Sequence, residues 1–285
     1  MPPLAVIAGP TASGKTARAL KLAQARDGVI INADASQVYA DLDIIAARPG
    51  AAEQALAPHR LYGVADAADA MTAARWATRA RAEIEAAWAG GRLPILVGGT
   101  GLYLRTLLEG IAPVPPVPAT VRAAVRALPL AALRAALRAE DPAMAARLHP
   151  HDRQRQARAL EVVRATGRSL ADWQAAPRVG GIGARVALEA LVLDPPRAAL
   201  DQRIAERIEA MWAAGALDEV RRLKARGLSP TLPAMRAIGV PPLIALLDGQ
   251  VEKHEAIERW RLDTRRYAKR QGTWFRHQHP DWPRG

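Results

Sequence analysis

The sequence has no cysteine, which excludes disulfide bonds, thiolate metal sites and thiol redox chemistry and fits a reducing cytosol. Aromatic residues are scarce, at 4% of the chain, with Phe275 as the one phenylalanine. No basic N-terminal segment leads into a long apolar run. The short run Leu4 to Ala8 passes straight into a Gly-rich turn, so neither a signal peptide nor a membrane span is expected, and the expected location is cytoplasmic. Internal repeats are absent. Acidic residues are outnumbered: 40 Lys and Arg face 28 Asp and Glu, a formal charge of +12, with a sequence pI near 11.0. Such an excess points to a polyanionic partner, nucleic acid first, because each neutralised phosphate releases a condensed counterion.

What is present belongs to a folded chain. Half of the 285 residues are hydrophobic, and that length suits a main domain with an inserted or appended lobe. Three segments repeat one grammar of apolar strand, turn and helical pattern, as parallel α/β sheets read in sequence. The first is Leu4 to Ala8, then Gly9 to Thr16 and a helix over Ala17 to Ala25; the second is Val29 to Ala33, ending at Asp34. The third is Leu93 to Val97, ending in Gly98-Gly99-Thr100-Gly101 before a helix over Leu102 to Glu109, with an Ala/Arg/Glu-rich helix over Ala73 to Ala89 ahead of it. Pro113, Pro115, Pro116 and Pro118 mark a linker, since proline fits neither a helix interior nor a central strand. Beyond it Val121 to Arg138 and Arg153 to Thr166 read as helical. A loop over Pro177 to Gly183 leads to a strand, Ala187 to Leu193, that rejoins the sheet, and further helices follow, with a basic one over Thr264 to Gln271. The expected organisation is α/β: a parallel sheet of the P-loop NTPase type flanked by helices, made by residues 1–115 and 185–285, with an all-helical insertion over 116–184.

Gly9-Pro10-Thr11-Ala12-Ser13-Gly14-Lys15-Thr16 fits G-x-x-x-x-G-K-[ST] between a strand and a helix, the context that motif requires. Glycines let backbone N–H groups converge on phosphate oxygens, Lys15 adds a point charge and the helix N-terminus its positive end, while the Thr16 hydroxyl can reach a magnesium ion. Such a cradle serves nucleotides, ATP included, and equally any diphosphate leaving group. In a parallel sheet the residues ending neighbouring strands face it, which singles out Asp34 and Thr100. Asp34 can orient a substrate, hold magnesium through water or act as a general base, against a plain turn or N-cap role. Thr100 can donate to a leaving-group oxygen or simply cap a helix. Arg153, Arg155, Arg158 and Arg164 on one helix, with Gln154 and Gln156 as amide readers, can grip RNA or form a solvated face. Arg265, Arg266, Lys269 and Arg270 with Tyr267, Trp274 and Phe275 interleave charge and aromatics as single-stranded RNA surfaces do, or the aromatics pack on the core. His277 and His279 lack a third ligand nearby and read as a frayed terminus.

Four features together resemble the isopentenyl-diphosphate:tRNA transferase family of bacterial type: GPTASGKT, the run Asp34-Ala35-Ser36-Gln37-Val38-Tyr39 with Asp41-Leu42-Asp43-Ile44, the turn Leu96 to Tyr103, and the basic run Gln154 to Arg158. The resemblance spans nearly the whole chain. It implies transfer of a dimethylallyl group from dimethylallyl diphosphate to N6 of adenosine 37 in the tRNA anticodon loop, by a monomer using Mg2+. It implies Asp34 as general base, with Lys15, Thr16, Thr100 and Arg207 on the diphosphate. It also implies tRNA contacts at Asp34, Ala35, Ser36, Gln37, Thr100, Arg122, Gln154, Arg155, Gln156, Ala157 and Arg158. Two places depart from the family pattern. Ile45-Ala46-Ala47-Arg48-Pro49 stands where relatives read Gly-Thr-Ala-Lys-Pro, and Ile238-Gly239-Val240-Pro241-Pro242 where they read Val-Gly-Tyr-Arg-Gln. The competing readings are a small-molecule or nucleoside kinase, which shares the loop but needs no strongly basic body, and a noncatalytic RNA-binding protein using the loop as a nucleotide sensor.

Overall fold

The computed structural model describes residues 1–285. In chain order it runs β1 (Pro3–Ala8), α1 (Lys15–Ala25), β2 (Gly28–Asn32), α2 (Ala51–Leu56), β3 (His59–Arg60), α3 (Ala73–Ala89), β4 (Leu93–Gly98) and α4 (Gly101–Glu109). The middle comprises β5 (Gly110–Ile111), α5 (Ala119–Ala127), α6 (Leu130–Glu140), α7 (Pro142–Arg147), α8 (Arg153–Thr166), α9 (Leu170–Ala175) and β6 (Val179–Gly180). The chain ends with β7 (Ala187–Val192), α10 (Arg197–Ala213), α11 (Ala216–Ala225), α12 (Val240–Leu247) and α13 (Lys253–Gln278). Two compact units divide it, residues 1–108 with 182–285, and residues 109–181.

The first unit is the expected α/β sheet with helices on both faces. Its strands lie in the order β3-β2-β4-β1-β7, all parallel. Alternate residues of each strand feed two apolar layers. Leu4, Val6, Val29, Ile31 and Leu96 face a large core with Trp76, Leu104, Ile204, Trp260 and Phe275, while Ala5, Ile7, Ile30, Ile95 and Val97 face a smaller one beneath Ala19, Leu20 and Ala23 of α1. Both faces are covered, so the strands read as unbroken apolar runs rather than alternating ones. The register levels the strand ends, with Ala8 beside Gly98 and Asn32 beside Val97. Because β4 lies between β1 and β2, the turn carrying Thr100 sits between the phosphate loop and Asp34.

Residues 109–181 form a helical unit around Val125, Leu133, Leu137, Met144, Leu160 and Val162. Its two ends are joined by the antiparallel pair β5 and β6, Gly110 opposite Gly180 and Ile111 opposite Val179, with an ion pair between Glu109 and Arg178. Gly110 has φ +86, and a side chain there would meet the Val179 carbonyl at 2.3 Å. The boundaries expected at 115/116 and 184/185 thus fall at 108/109 and 181/182, because this clasp lies outside the prolines and the Pro177 to Gly183 loop contains β6.

Three further expectations are corrected. The helical pattern over Val121 to Arg138 is two helices: Leu128 is extended and Pro129 precedes α6, since a residue before proline is pushed out of the α region. The basic helix over Thr264 to Gln271 is the later part of α13, whose start is fixed by a capping box in which the Glu252 N–H donates to Glu255 at 3.0 Å. The C-terminus is not frayed. His279 stacks on Trp282 at 3.9 Å between centroids, and the tail runs along the edge of β7, with Val192 N–H donating to Pro283 O at 2.8 Å and Gly285 N–H to Val192 O at 3.0 Å. No helix is long and apolar enough to cross a membrane.

Candidate active site

Backbone conformation builds the phosphate cradle. Gly9 (φ +144) has the Leu193 carbonyl where a side chain would go, 2.5 Å from an added Cβ, and Gly14 (φ +93) turns the chain into α1. Ala12 also holds a positive φ of 63°, a conformation rare outside glycine and retained where surrounding structure imposes it. The helix begins at Lys15 itself, two residues earlier than expected, so its free N–H groups open directly onto the loop. The buried hydroxyl of Ser13 has no protein partner. Lys15 Nζ donates to Pro10 O at 2.6 Å and keeps two donors for an anion. Its pKa is lowered to about 8, chiefly by burial, with Arg207 also lowering it and Asp34 opposing.

Asp34 is held by its neighbours on both sides. Asn32, fully buried at the end of β2, accepts the Asp34 N–H at 2.8 Å and donates to Asp34 O and Leu61 O, each at 3.0 Å. The Asp34 Oδ1 accepts both the N–H and the hydroxyl of Ser36, at 2.9 and 2.6 Å. That leaves Oδ2 for an incoming group. Thr100 is tied to the same segment, its Oγ1 accepting the Ala35 N–H at 2.9 Å, and its hydroxyl proton remains to be donated. Burial raises the pKa of Tyr62 and Tyr267, and the Asp34 charge adds to it; in Tyr103 burial leads, with Tyr39 and then Asp34 contributing. All three stay neutral hydroxyl donors near pH 7.

Two cavities meet here. One, of about 540 Å³, is lined by Thr11 to Ala17 with Glu53, Tyr62, Arg203 and Arg207. The other, of about 330 Å³, has an apolar wall of Ile45, Ile204, Ile208, Met211, Ile238 and Trp260. Thr11, Asp34 and Arg207 line both, so the acid and the guanidinium stand where a phosphate-sized space passes into an apolar one. Burial lowers the Arg207 pKa against the opposing pull of Asp34.

The model of the IPP transferase family matches residues 37–278. The chain is 60% identical to the tRNA dimethylallyltransferase of Sphingopyxis alaskensis, over 99% of its own length and 92% of that protein. It is 55% identical to that of Erythrobacter litoralis, over 99% and 91%. The chain belongs to the IPP transferase family. Among solved structures it resembles the full-length tRNA isopentenylpyrophosphate transferase of Bacillus halodurans, with TM-score 0.71 and 33% identity over 100% of this chain and 90% of that one. It also resembles a eukaryotic dimethylallyltransferase acting on tRNA, with TM-score 0.82 and 28% identity over 96% and 70%. The family resemblance read from the motifs is thereby borne out, and with it the enzyme class of transferase.

For a member of the IPP transferase family, the two sequence departures fall at informative places. Ile45 and Ile238 both line the apolar cavity, and the Ile45 loop is fixed by Glu219, a buried carboxylate that accepts the N–H groups of Asp43, Ile44 and Ile45 at 2.8, 2.8 and 2.9 Å. Arg48 pairs with Asp43 at 2.9 Å. Val240-Pro241-Pro242 opens α12, where proline is tolerated because first-turn N–H groups have no helical partner.

The other expected contacts divide by placement. Ala35, Ser36 and Gln37 are partly exposed, but the Gln37 side-chain N–H2 is occupied by Ala46 O and Ala47 O at 3.0 and 2.9 Å. In the helical unit Arg122 and Gln154 are exposed, and the Arg155 side chain is 77% exposed beside Asp152. Arg158 lies 3.6 Å from Glu161. Gln156 and Ala157 are buried. The reading of Gln156 as an amide reader is corrected: its N–H2 donates inward to His149 O and Pro150 O at 2.8 and 2.9 Å, because position 156 falls on the core-facing stripe of α8. Arg153 is likewise turned to the backbone, donating to Arg126 O and Leu128 O at 2.8 and 2.7 Å, and Arg164 pairs with Glu140. Sequence reasoning missed Asn32, Glu219 and Gln271. A polar residue inside an apolar strand was the signal for Asn32; the other two act across more than 170 residues and leave no local mark.

Proposed function

We propose that this transferase moves a dimethylallyl group from dimethylallyl diphosphate to N6 of adenosine 37 in the anticodon loop of tRNA. One observation carries the reading: Asp34 lies on the shared wall of a phosphate cradle and an apolar cavity. The diphosphate occupies the cradle and the five-carbon group the passage beside it. The bond between C1 of the dimethylallyl group and the diphosphate oxygen breaks as C1 bonds to N6, and the electron pair leaves with the diphosphate. Asp34 Oδ2 takes the N6 proton, which the weakly nucleophilic adenine amine sheds as the new bond forms. Lys15, Arg207 and the phosphate-loop N–H groups stabilise the charge that grows on the leaving group, with Thr100 as a further donor. Adenosine 37 must leave its stack to reach this wall, and the exposed Arg122, Gln154 and Arg155 with the half-buried Arg158 supply phosphate contacts for the RNA.

No cluster of three acidic or histidine side chains is available to cage a metal. The few side-chain oxygens on the cradle cavity, those of Thr16, Asp34 and Glu53, suit magnesium carried by the diphosphate, which keeps several waters and takes few protein oxygens. Thr16 would supply a hydroxyl to hold it, with Asp34 and Glu53 on the same cavity; when bound, the ion would neutralise leaving-group charge.

The deciding experiment is mass analysis of tRNA nucleosides after incubation with dimethylallyl diphosphate and magnesium. One added five-carbon group on adenosine with release of diphosphate is expected. Formation of ADP from ATP with a small acceptor, and no prenylated nucleoside, would overturn the reading in favour of a kinase. Asp34→Ala and Thr100→Ala are expected to lower kcat by about 10²- to 10⁴-fold while inorganic diphosphate still binds in calorimetry; full turnover in Asp34→Ala removes it as the base.

A further inference from the structure

The phosphate loop and the Thr100 turn end two different strands, and a side chain from the far end of the sequence links them. Gln271, on α13, is 4% exposed. Its Oε1 accepts the Thr11 N–H at 2.9 Å, and its Nε2 donates to Gly99 O at 2.9 Å. The room for it comes from a glycine: a Cβ on residue 99 would stand 2.0 Å from Gln271 Nε2. One helical turn earlier on the same face, Tyr267 neighbours the side chains of Thr100 and Gln271. Both atoms that Gln271 grips are backbone atoms, one in the phosphate loop and one beside Thr100, whose Oγ1 accepts the Ala35 N–H next to Asp34.

We propose that Gln271 is a positioning residue for prenyl transfer. It fixes the span between Thr11, which lines both cavities, and the turn that carries Thr100 and holds the Ala35 N–H beside Asp34, and so sets how far the base stands from the cradle that holds the leaving group. It touches neither substrate and acts through the two turns. The proposal rests on the reaction proposed above. An amide is the group that serves, because one partner is a donor and the other an acceptor: a carboxylate cannot donate to Gly99 O, and a thioether offers no N–H donor and only a weak acceptor. Misplacement of reacting groups by about 1 Å costs on the order of 10²-fold in rate.

The test compares Gln271→Glu and Gln271→Met with the wild-type protein in prenyl transfer to tRNA between about pH 5.5 and 8.5, alongside binding of inorganic diphosphate and thermal unfolding. Both variants are expected to lose about 10²-fold in kcat near pH 8, and Gln271→Met to bind diphosphate within a few-fold of wild type. The decisive readout is pH. Once protonated, the carboxyl that Gln271→Glu introduces is again donor and acceptor, so the deficit of the Glu variant relative to wild type should shrink as pH falls, whereas that of the Met variant should not. Tyr267 on the same helix, and Asp34, Lys15 and Arg207 around the two loops, are present in both proteins, and the ratio to wild type at each pH removes what they contribute in common. Wild-type kcat in Gln271→Met, or a Glu deficit that is flat with pH, overturns the positioning role; if the Met variant does not fold, the pH arm within the Glu variant decides alone. Absence of product from the wild-type protein overturns the reaction itself and the role with it, while product from wild type with unimpaired variants overturns the role only.

Discussion

Lys15 is a cation held where burial disfavours its charge, with a pKa lowered to about 8 from an ordinary value near 10.4. The free protein therefore binds fewer protons at this site than the unfolded chain between those two values, and stability from this group rises with pH across that window. Below about pH 8 the charged form is retained at a cost, which an anion in the cradle relieves. Lys15→Met should accordingly raise the melting temperature of the ligand-free protein at pH 7 by about 2–4 °C, with the gain fading by pH 10, and should weaken diphosphate binding at pH 7. A melting temperature that falls equally at both pH values would count against the buried-cation account. The cradle was legible in sequence because its parts are contiguous: glycines, lysine and threonine act within eight residues, between a strand and a helix that declare themselves by pattern. Asp34 and Thr100 were legible by one more step, since parallel strand ends converge. Glu219 and Gln271 were not, because each is an ordinary polar residue on an amphipathic helix until tertiary packing shows which backbone groups it meets.

At the scale of elements, α8 shows where helical pattern succeeds and where composition misleads. Its span, Arg153–Thr166, is as the sequence predicts, with Asp152 capping it by accepting the Arg155 N–H at 3.1 Å. A cluster of Arg and Gln looks like one polar face, yet the 3.6-residue period turns Gln156 inward with Ala159 and Leu160 while Arg155 stays outward. Neutralising Arg155 and Arg158 should raise the KM for tRNA and flatten its dependence on salt by about 0.7–0.9 in the logarithmic slope per lost phosphate contact. Gln156→Ala should leave that slope unchanged and instead destabilise the helical unit by about 1 kcal/mol, through two backbone carbonyls losing their donor. Denaturant titration of the variant together with salt-series kinetics separates the two effects. Pro129 carries the same lesson for boundaries: composition across Val121 to Arg138 favours helix throughout, and one ring that fixes its neighbour's backbone divides it. The short α2 and β3 have too few residues for any period to register.

For the molecule as a whole, the net charge and the sheet point to different partners, an RNA for the basic surface and a small diphosphate for the strand ends. Residues 109–181 carry Arg122, Gln154, Arg155 and Arg158, whereas the cradle, Asp34, Thr100 and Gln271 belong entirely to residues 1–108 and 182–285. Replacing residues 109–181 by a short Gly-rich linker should therefore leave inorganic diphosphate binding in calorimetry close to that of the full chain while abolishing measurable turnover on tRNA. Loss of diphosphate binding in a folded deletion variant would show that the helical unit shapes the cradle.

Such a graft is feasible because of the way the chain departs and returns. Ile182 N–H donates to Leu107 O at 3.0 Å, so the polypeptide leaves the sheet-bearing unit and re-enters it through a single doorway one peptide wide. A handle attached at one such point closes with an entropy that grows only slowly with its length. Lengthening, shortening or re-sculpting it therefore leaves the cradle its dimensions. On the proposed reading, a lineage can change its RNA grip without rebuilding the phosphate cradle.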